Sequence, residues 1–127
     1  MKVKHILLID DNDIDNYVSN HVVKKSQITD KITIKNSAIA ALEYLEEIKN
    51  NSDEFPELIF LDIKMPIMDG FGFLDQFILF QMAVEGKCSV IMLSSSSDPM
   101  DINRALQYPV VKQFMTKPLK IEMLGTL

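Results

Sequence analysis

One cysteine, Cys88, stands in the whole chain, so no internal disulfide can brace the fold. Long apolar stretches are missing too. The run from Ile6 to Ile9 is too brief for a signal-peptide core or a membrane span, and the chain reads as soluble and cytoplasmic. Basic residues form no cluster; with 13 Lys and Arg against 18 Asp and Glu the formal net charge is -5 and the pI about 4.9. Nucleic-acid phosphates find nothing to hold, so direct DNA or RNA binding is not expected. Repeats, linkers and low-complexity tracts are also absent. At 127 residues and 47% hydrophobic composition there is material for one core and too little for two, which predicts a single domain over residues 1–127.

What is present alternates regularly. Residues 5–9 (HILLI), 32–34 (ITI), 58–61 (LIFL), 89–93 (SVIML) and 110–115 (VVKQFM) are short and rich in β-branched residues, and read as strands, several buried on both faces. Between them apolar residues recur at helical spacing: Ile14, Tyr17, Val18, His21 and Val22; then Ala38, Ala41, Leu42, Leu45 and Ile48; then Leu74, Phe77, Ile78 and Leu79. A fourth helix is signalled near residue 99, with Asp98 as cap, Pro99 as first helical residue and Asp101 three positions beyond the cap. The alternation predicts an α/β protein with a mostly parallel sheet and helices on both faces.

In such a sheet, ligands bind beyond the carboxyl ends of the strands, where the strand order reverses. The first strand ends in Asp10 and Asp11, and the third ends in Asp62. If these strands are neighbours, three carboxylates share one crevice, and their repulsion raises their pKa values unless a cation sits among them. A hard divalent ion that keeps several waters, magnesium, suits the grouping. The fourth strand ends in hydroxyls, Ser94 and Ser95, and the fifth in Lys117. Carboxylates, a cation, a hydroxyl and an ammonium around one pocket point to phosphoryl transfer, which asks the protein mainly for positioning and charge neutralisation.

These residues resemble the receiver domains of two-component response regulators, chemotaxis regulators among them, over nearly the whole chain. The markers are the Asp10-Asp11 pair, the "LDIKMPIMDG" segment around Asp62, the hydroxyl at Ser94 and the Lys117-Pro118 pair. Each alone is weak; their order, each at a predicted strand end, is specific. The resemblance implies a doubly wound (βα)5 flavodoxin-like sandwich of three layers, with a parallel five-stranded sheet in the order 2-1-3-4-5. It also implies a signalling domain rather than an enzyme, whose chemistry is limited to its own aspartyl phosphorylation and dephosphorylation.

By the same resemblance, Asp62 is the phosphoacceptor, taking a phosphoryl group from a phosphohistidine on a sensor histidine kinase or phosphotransfer protein. Asp11 and Asp62 coordinate Mg2+ directly, Asp10 acts mainly through bound water, and the backbone carbonyl of Lys64 completes the protein ligands. Ser94 and Lys117 hold the phosphoryl group, and a cis peptide before Pro118 aims Lys117 inward. Met65, Pro66 and Gly70 match the loop after the acceptor, where glycine relaxes the backbone before the third helix. Ser94 and Phe114 form the switch pair. The surface of the fourth helix, the fifth strand and the last helix, about residues 99–125, then signals to a downstream protein or a second copy of the chain.

Two departures stand out. Lys64 occupies a variable position two residues after the acceptor, beside the expected phosphoryl group. The stretch "LKIEMLGTL" is shorter than the usual last helix and contains Gly125. A stand-alone receiver and a piece of a larger regulator or hybrid kinase are both compatible with it.

Rival readings fare less well. "DNDID" opens like a calcium-binding EF-hand loop, but Asn16 and Val22 replace the required glycine and glutamate. A phosphohydrolase using an aspartyl phosphate would need its nucleophile on the first strand, where Asp11 and Asp13 fit only loosely, and a cap insertion that the chain lacks. A degenerate receiver acting as a phosphorylation-independent protein-binding module is opposed by the filled site positions. His5 opens a strand and His21 lies in the first helix's apolar stripe, with no second ligand at metal spacing. Phe71, Phe73, Phe77 and Phe80 read as helix packing, with an excess over one stripe that hints at some exposed apolar surface. Cys88 has no neighbouring base or cation and reads as inert.

Overall fold

The computed structural model describes residues 2–127. Five strands, β1 (Ile6–Ile9), β2 (Ile32–Lys35), β3 (Leu58–Leu61), β4 (Ser89–Ser94) and β5 (Val111–Thr116), pair in parallel in the order β2-β1-β3-β4-β5. This is the doubly wound flavodoxin-like arrangement, and the chain order reverses between β1 and β3. The strands β1 and β3 are fully buried, as their unbroken aliphatic runs require, while β2 and β5 close the edges with mixed composition.

Six helical segments connect and follow the strands: α1 (Asp13–Ser26), α2 (Ala38–Ile48), α3 (Gly70–Phe77), α4 (Gln81–Val84), α5 (Pro99–Leu106) and α6 (Ile121–Leu124). Alternate residues of the strands feed two cores. Leu7, Ile9, Ile59 and Leu61 pack with Ala41 and Leu45 of α2, Phe73 and Phe77 of α3 and Ala105 of α5. Ile6, Leu8, Phe60 and Leu93 pack on the other face with Val23 of α1 and Leu124 of α6. No helix among the described residues is long and apolar enough to cross a membrane.

Local signals explain most boundaries. Asp98 caps α5 by accepting from the Met100 N–H at 2.9 Å, with Pro99 at the first helical position. Asp101 does not fold back onto the cap; its Oδ2 accepts from Ser96 Oγ at 2.9 Å, and Ser96 Oγ accepts from the Asp98 N–H at 3.3 Å, so the hydroxyl relays the contact. The last helix, α6, is a single turn with Gly125 at its C-cap.

Two expectations need correction. Only part of the stripe Ile14, Tyr17, Val18, His21, Val22 packs: Val18 is half-buried and Val22 rests half-buried against the core, but Ile14 and Tyr17 are 73% and 72% exposed, and His21 is exposed. The buried positions are Asn16, Ser19 and Val23. The cause is a polar support, because Asn16 Nδ2 donates to the Asp10 carbonyl at 2.8 Å and pins that face onto the end of β1. The third helix stops at Phe77, and Leu79 projects outward. There the chain tightens through Leu79 N–H to Gln76 O and Phe80 N–H to Phe77 O, and Phe80 packs beside Phe55 and Phe77, producing the additional turn α4. The phenylalanines pack as expected, Phe71, Phe73 and Phe77 in the core and Phe80 half-buried against it, and the exposed apolar groups of this region are Ile78, Leu79 and Val84.

Candidate functional site: an acidic pocket closed by a lysine

Adjacent strands β1 and β3 run in register with Ile9 opposite Leu61, so the next residues, Asp10 and Asp62, emerge side by side. The ladder continues one step past the strands: Asp10 N–H donates to Lys35 O at 3.2 Å and Asp62 N–H to Ile9 O at 3.1 Å. Both aspartates are buried and Asp11 is exposed. One carboxylate oxygen from each of the three lies within 4.8 Å of the others.

Each buried carboxylate has a backbone donor and shares one ammonium. Asp10 Oδ1 accepts from the Asn12 N–H at 2.9 Å, and Asp62 Oδ1 from the Ile63 N–H at 2.8 Å. Lys117, at the end of β5, places Nζ 2.5 Å from Asp10 Oδ2 and 3.2 Å from Asp62 Oδ2. Burial pushes the Asp10 carboxyl above its ordinary range and the nearby Asp62 charge adds to this, while Lys117 and the Asn12 N–H act against it. Burial alone would lower the Lys117 ammonium; its bonds to Asp10 and Asp15 and the Asp62 charge outweigh that and hold it above an ordinary lysine.

Neighbouring segments shape the rim. The Lys117–Pro118 peptide bond is cis. Ser94 is buried at the end of β4, where its hydroxyl accepts from the Ser96 N–H at 3.2 Å, and its carbonyl accepts from the Lys117 N–H at 2.9 Å. Lys64 is exposed. After it the chain makes a tight turn in which Met68 N–H donates to Pro66 O at 2.8 Å, with Ile67 between them at φ 72° and 96% exposed. A β-branched residue in that region is strained. Gly70 serves close approach rather than backbone freedom: a Cβ there would lie 2.5 Å from the Asp62 carbonyl oxygen. Phe114 pairs in register with Met92, two positions back along β4 from Ser94, and is half-buried against the core that contains Ala105 of α5.

The structure thus brings Asp10, Asp11, Asp62 and Lys117 together, sets Ser94 at the neighbouring strand end, and keeps Phe114 away on the packed face of β5. One member was not anticipated. Asp15, in the first turn of α1, accepts from Lys117 Nζ at 2.8 Å. In the sequence it reads only as an acid suited to a helix N-terminus, and nothing marks a partner 102 residues away. Elsewhere, His5 is buried rather than a bare strand opener. Nδ1 lies 2.7 Å from Glu54 O, which can only accept, so Nε2 takes the Thr33 hydroxyl at 2.7 Å. Cys88 is buried with its thiol pushed up by that burial, which keeps it unreactive.

Chemically, three hard oxygen donors gathered this closely suit a small divalent ion that retains several waters. An ammonium already resting on two of them supplies a second positive charge at the same point.

Residues 6–127 match the family described as the response regulator receiver domain, and the chain belongs to that family. The solved two-component response regulator from Cytophaga hutchinsonii superposes with a TM-score of 0.91 at 31% identity, covering 99% of this chain and 94% of that one. The Mn(2+)-bound form of the response regulator Rcp1 superposes with a TM-score of 0.76 at 26% identity, covering 96% and 86%. The two-component response regulator ARR10 of Arabidopsis thaliana is 32% identical over 122 residues, 96% of this chain but 20% of its own length. This chain therefore spans about a fifth of that relative.

Proposed function

We propose that the chain works as one phosphorylatable receiver unit in which Asp62 accepts a phosphoryl group from a phosphohistidine on a sensor kinase or phosphotransfer protein. An Asp62 oxygen forms the new bond to phosphorus as the donor's N–P bond breaks and the electron pair returns to the imidazole. Asp10, Asp11, Asp62 and the Lys64 carbonyl are the residues that would hold Mg2+, which neutralises phosphoryl oxygens when bound. A divalent ion in the related Rcp1 structure supports this reading. Lys117 balances the remaining phosphoryl charge, and Ser94 donates a hydrogen bond to it. The observation that carries the proposal is the convergence of three carboxylates within 4.8 Å beneath one ammonium, because an anionic donor cannot approach that cluster without positive charge.

Movement of Ser94 toward the new oxygens would free space that Phe114 can enter, altering the face built by α5, β5 and α6. That face is the expected contact for a downstream protein or a second copy of the chain. Incubation with acetyl phosphate, followed by intact-mass measurement, tests the core of the reading. Wild type should gain one phosphoryl mass only with Mg2+ present, and Asp62→Asn should gain none; equal uptake by both proteins would refute the assignment.

A further inference from the structure

We propose that Asp15 is a positioning residue of the acidic pocket: it gives Lys117 a partner outside the metal-binding carboxylates, so that the ammonium can release Asp10 and Asp62 to a divalent cation. The inference deepens the functional reading above and rests on it.

An ammonium has three N–H donors, and Lys117 spends one on each of Asp10, Asp15 and Asp62. Two of these partners belong to the carboxylate trio that gathers within 4.8 Å; Asp15 does not. Lysine and cation therefore compete for the same two carboxylates, Asp10 and Asp62. The Lys117 side chain is only 12% exposed, so an ammonium displaced from both without another partner would be left nearly buried and unpaired. Asp15 removes that obstacle. It stands in the first turn of α1, where its N–H donates to the Asn12 side chain at 3.0 Å, and its carboxylate is 39% exposed. With Lys117, Ser95 and Leu119 it lines an open cleft of about 220 Å³. The ammonium thus has room to shift from the trio toward Asp15 while keeping a charged partner.

Calorimetric titration of the whole chain with MgCl2 tests this through a double-mutant cycle of Asp15→Asn and Lys117→Gln. With Lys117 present, Asp15→Asn should weaken Mg2+ binding by about five- to tenfold, the lower range of coupling between linked sites. In the Lys117→Gln background the same change should cost less than about twofold, the residue of a screened long-range charge. Lys117→Gln alone should tighten binding, and Asp15→Glu should retain most of the wild-type affinity. Equal weakening in both backgrounds would reduce Asp15 to a distant charge and overturn the inference, as would no weakening in either. If wild type bound no Mg2+, the functional reading itself would fall and take the inference with it. Thermal melts of all five proteins separate loss of the fold from loss of binding.

Discussion

Replacing Gly70 with alanine probes the junction where the fold positions the acceptor. The added Cβ would meet the Asp62 carbonyl oxygen at 2.5 Å, the Ile63 Cα at 2.9 Å and the Asp62 carbonyl carbon at 3.2 Å. All three are backbone atoms, so no side chain can turn aside, and relief requires α3 to move away from the end of β3. That helix is tied by Gly70 N–H to Ile63 O at 2.7 Å and carries Phe71, Phe73, Leu74 and Phe77 in the core. Overpacking of this kind costs about 1–3 kcal/mol, and stretching the Gly70 hydrogen bond adds about 1 kcal/mol, so a loss of about 2–4 kcal/mol is expected. For a chain of this size that lowers Tm by roughly 10 °C. Urea unfolding followed by circular dichroism should show a lower midpoint with an unchanged slope. Gly125→Ala is the control, since its Cβ would lie 3.4 Å from Glu122 O at an ordinary helical φ of -69°, and it should be nearly neutral. A Gly70→Ala protein within about 0.5 kcal/mol of wild type would refute the close-approach argument. Because the shift would also disturb Asp62, Mg2+ affinity should fall with stability.

Three further outcomes follow from other parts of the molecule. Burial lowers the His5 pKa in the folded state, so the unfolded chain binds the proton more readily; stability should hold above the ordinary histidine value near 6.5 and fall below it, by at most about 1.4 kcal/mol per pH unit. Urea unfolding between pH 7.5 and 5.5 should show this slope in wild type, and its persistence in His5→Gln would assign it elsewhere. At Ile67 the strained φ of 72° should be relieved by glycine, raising unfolding stability by about 1 kcal/mol once glycine's greater unfolded-state freedom is counted; an unchanged or lower midpoint would mean the turn holds no strain. Beryllofluoride with Mg2+ should shift amide NMR resonances not only around Asp10, Asp62 and Lys117 but also at Phe114 and across residues 99–108; shifts confined to the loops would rule out the proposed route to the output face.

Alternation of aliphatic strands with helical stripes was enough to read the layers, and an acid at each of two strand ends was enough to place Asp10 and Asp62 at one edge. Both follow from local periodicity, since a strand buried on both faces must be apolar throughout and can carry charge only at its tip. The caps of α5 were legible for a similar reason: Asp98 and Pro99 act within one turn. What could not be read locally depends on what each segment meets. Asn16 and Ser19, rather than Ile14 and Tyr17, face inward because the end of β1 offers α1 a carbonyl to bond, and no pattern within α1 reveals that. His5 became a buried, doubly bonded ring through Thr33 and Glu54, from two other parts of the chain. Gly70 read as backbone freedom before the third helix, yet the reason for it is the Asp62 carbonyl beside it. Asp15 had an adequate local explanation at its helix start, and only the meeting of α1 with the end of β5 made it a partner of Lys117. Residue types and spacing determined which groups stand at the strand ends; which carboxylates share one ammonium was decided by tertiary packing, because a contact across 102 residues leaves no trace in either segment alone.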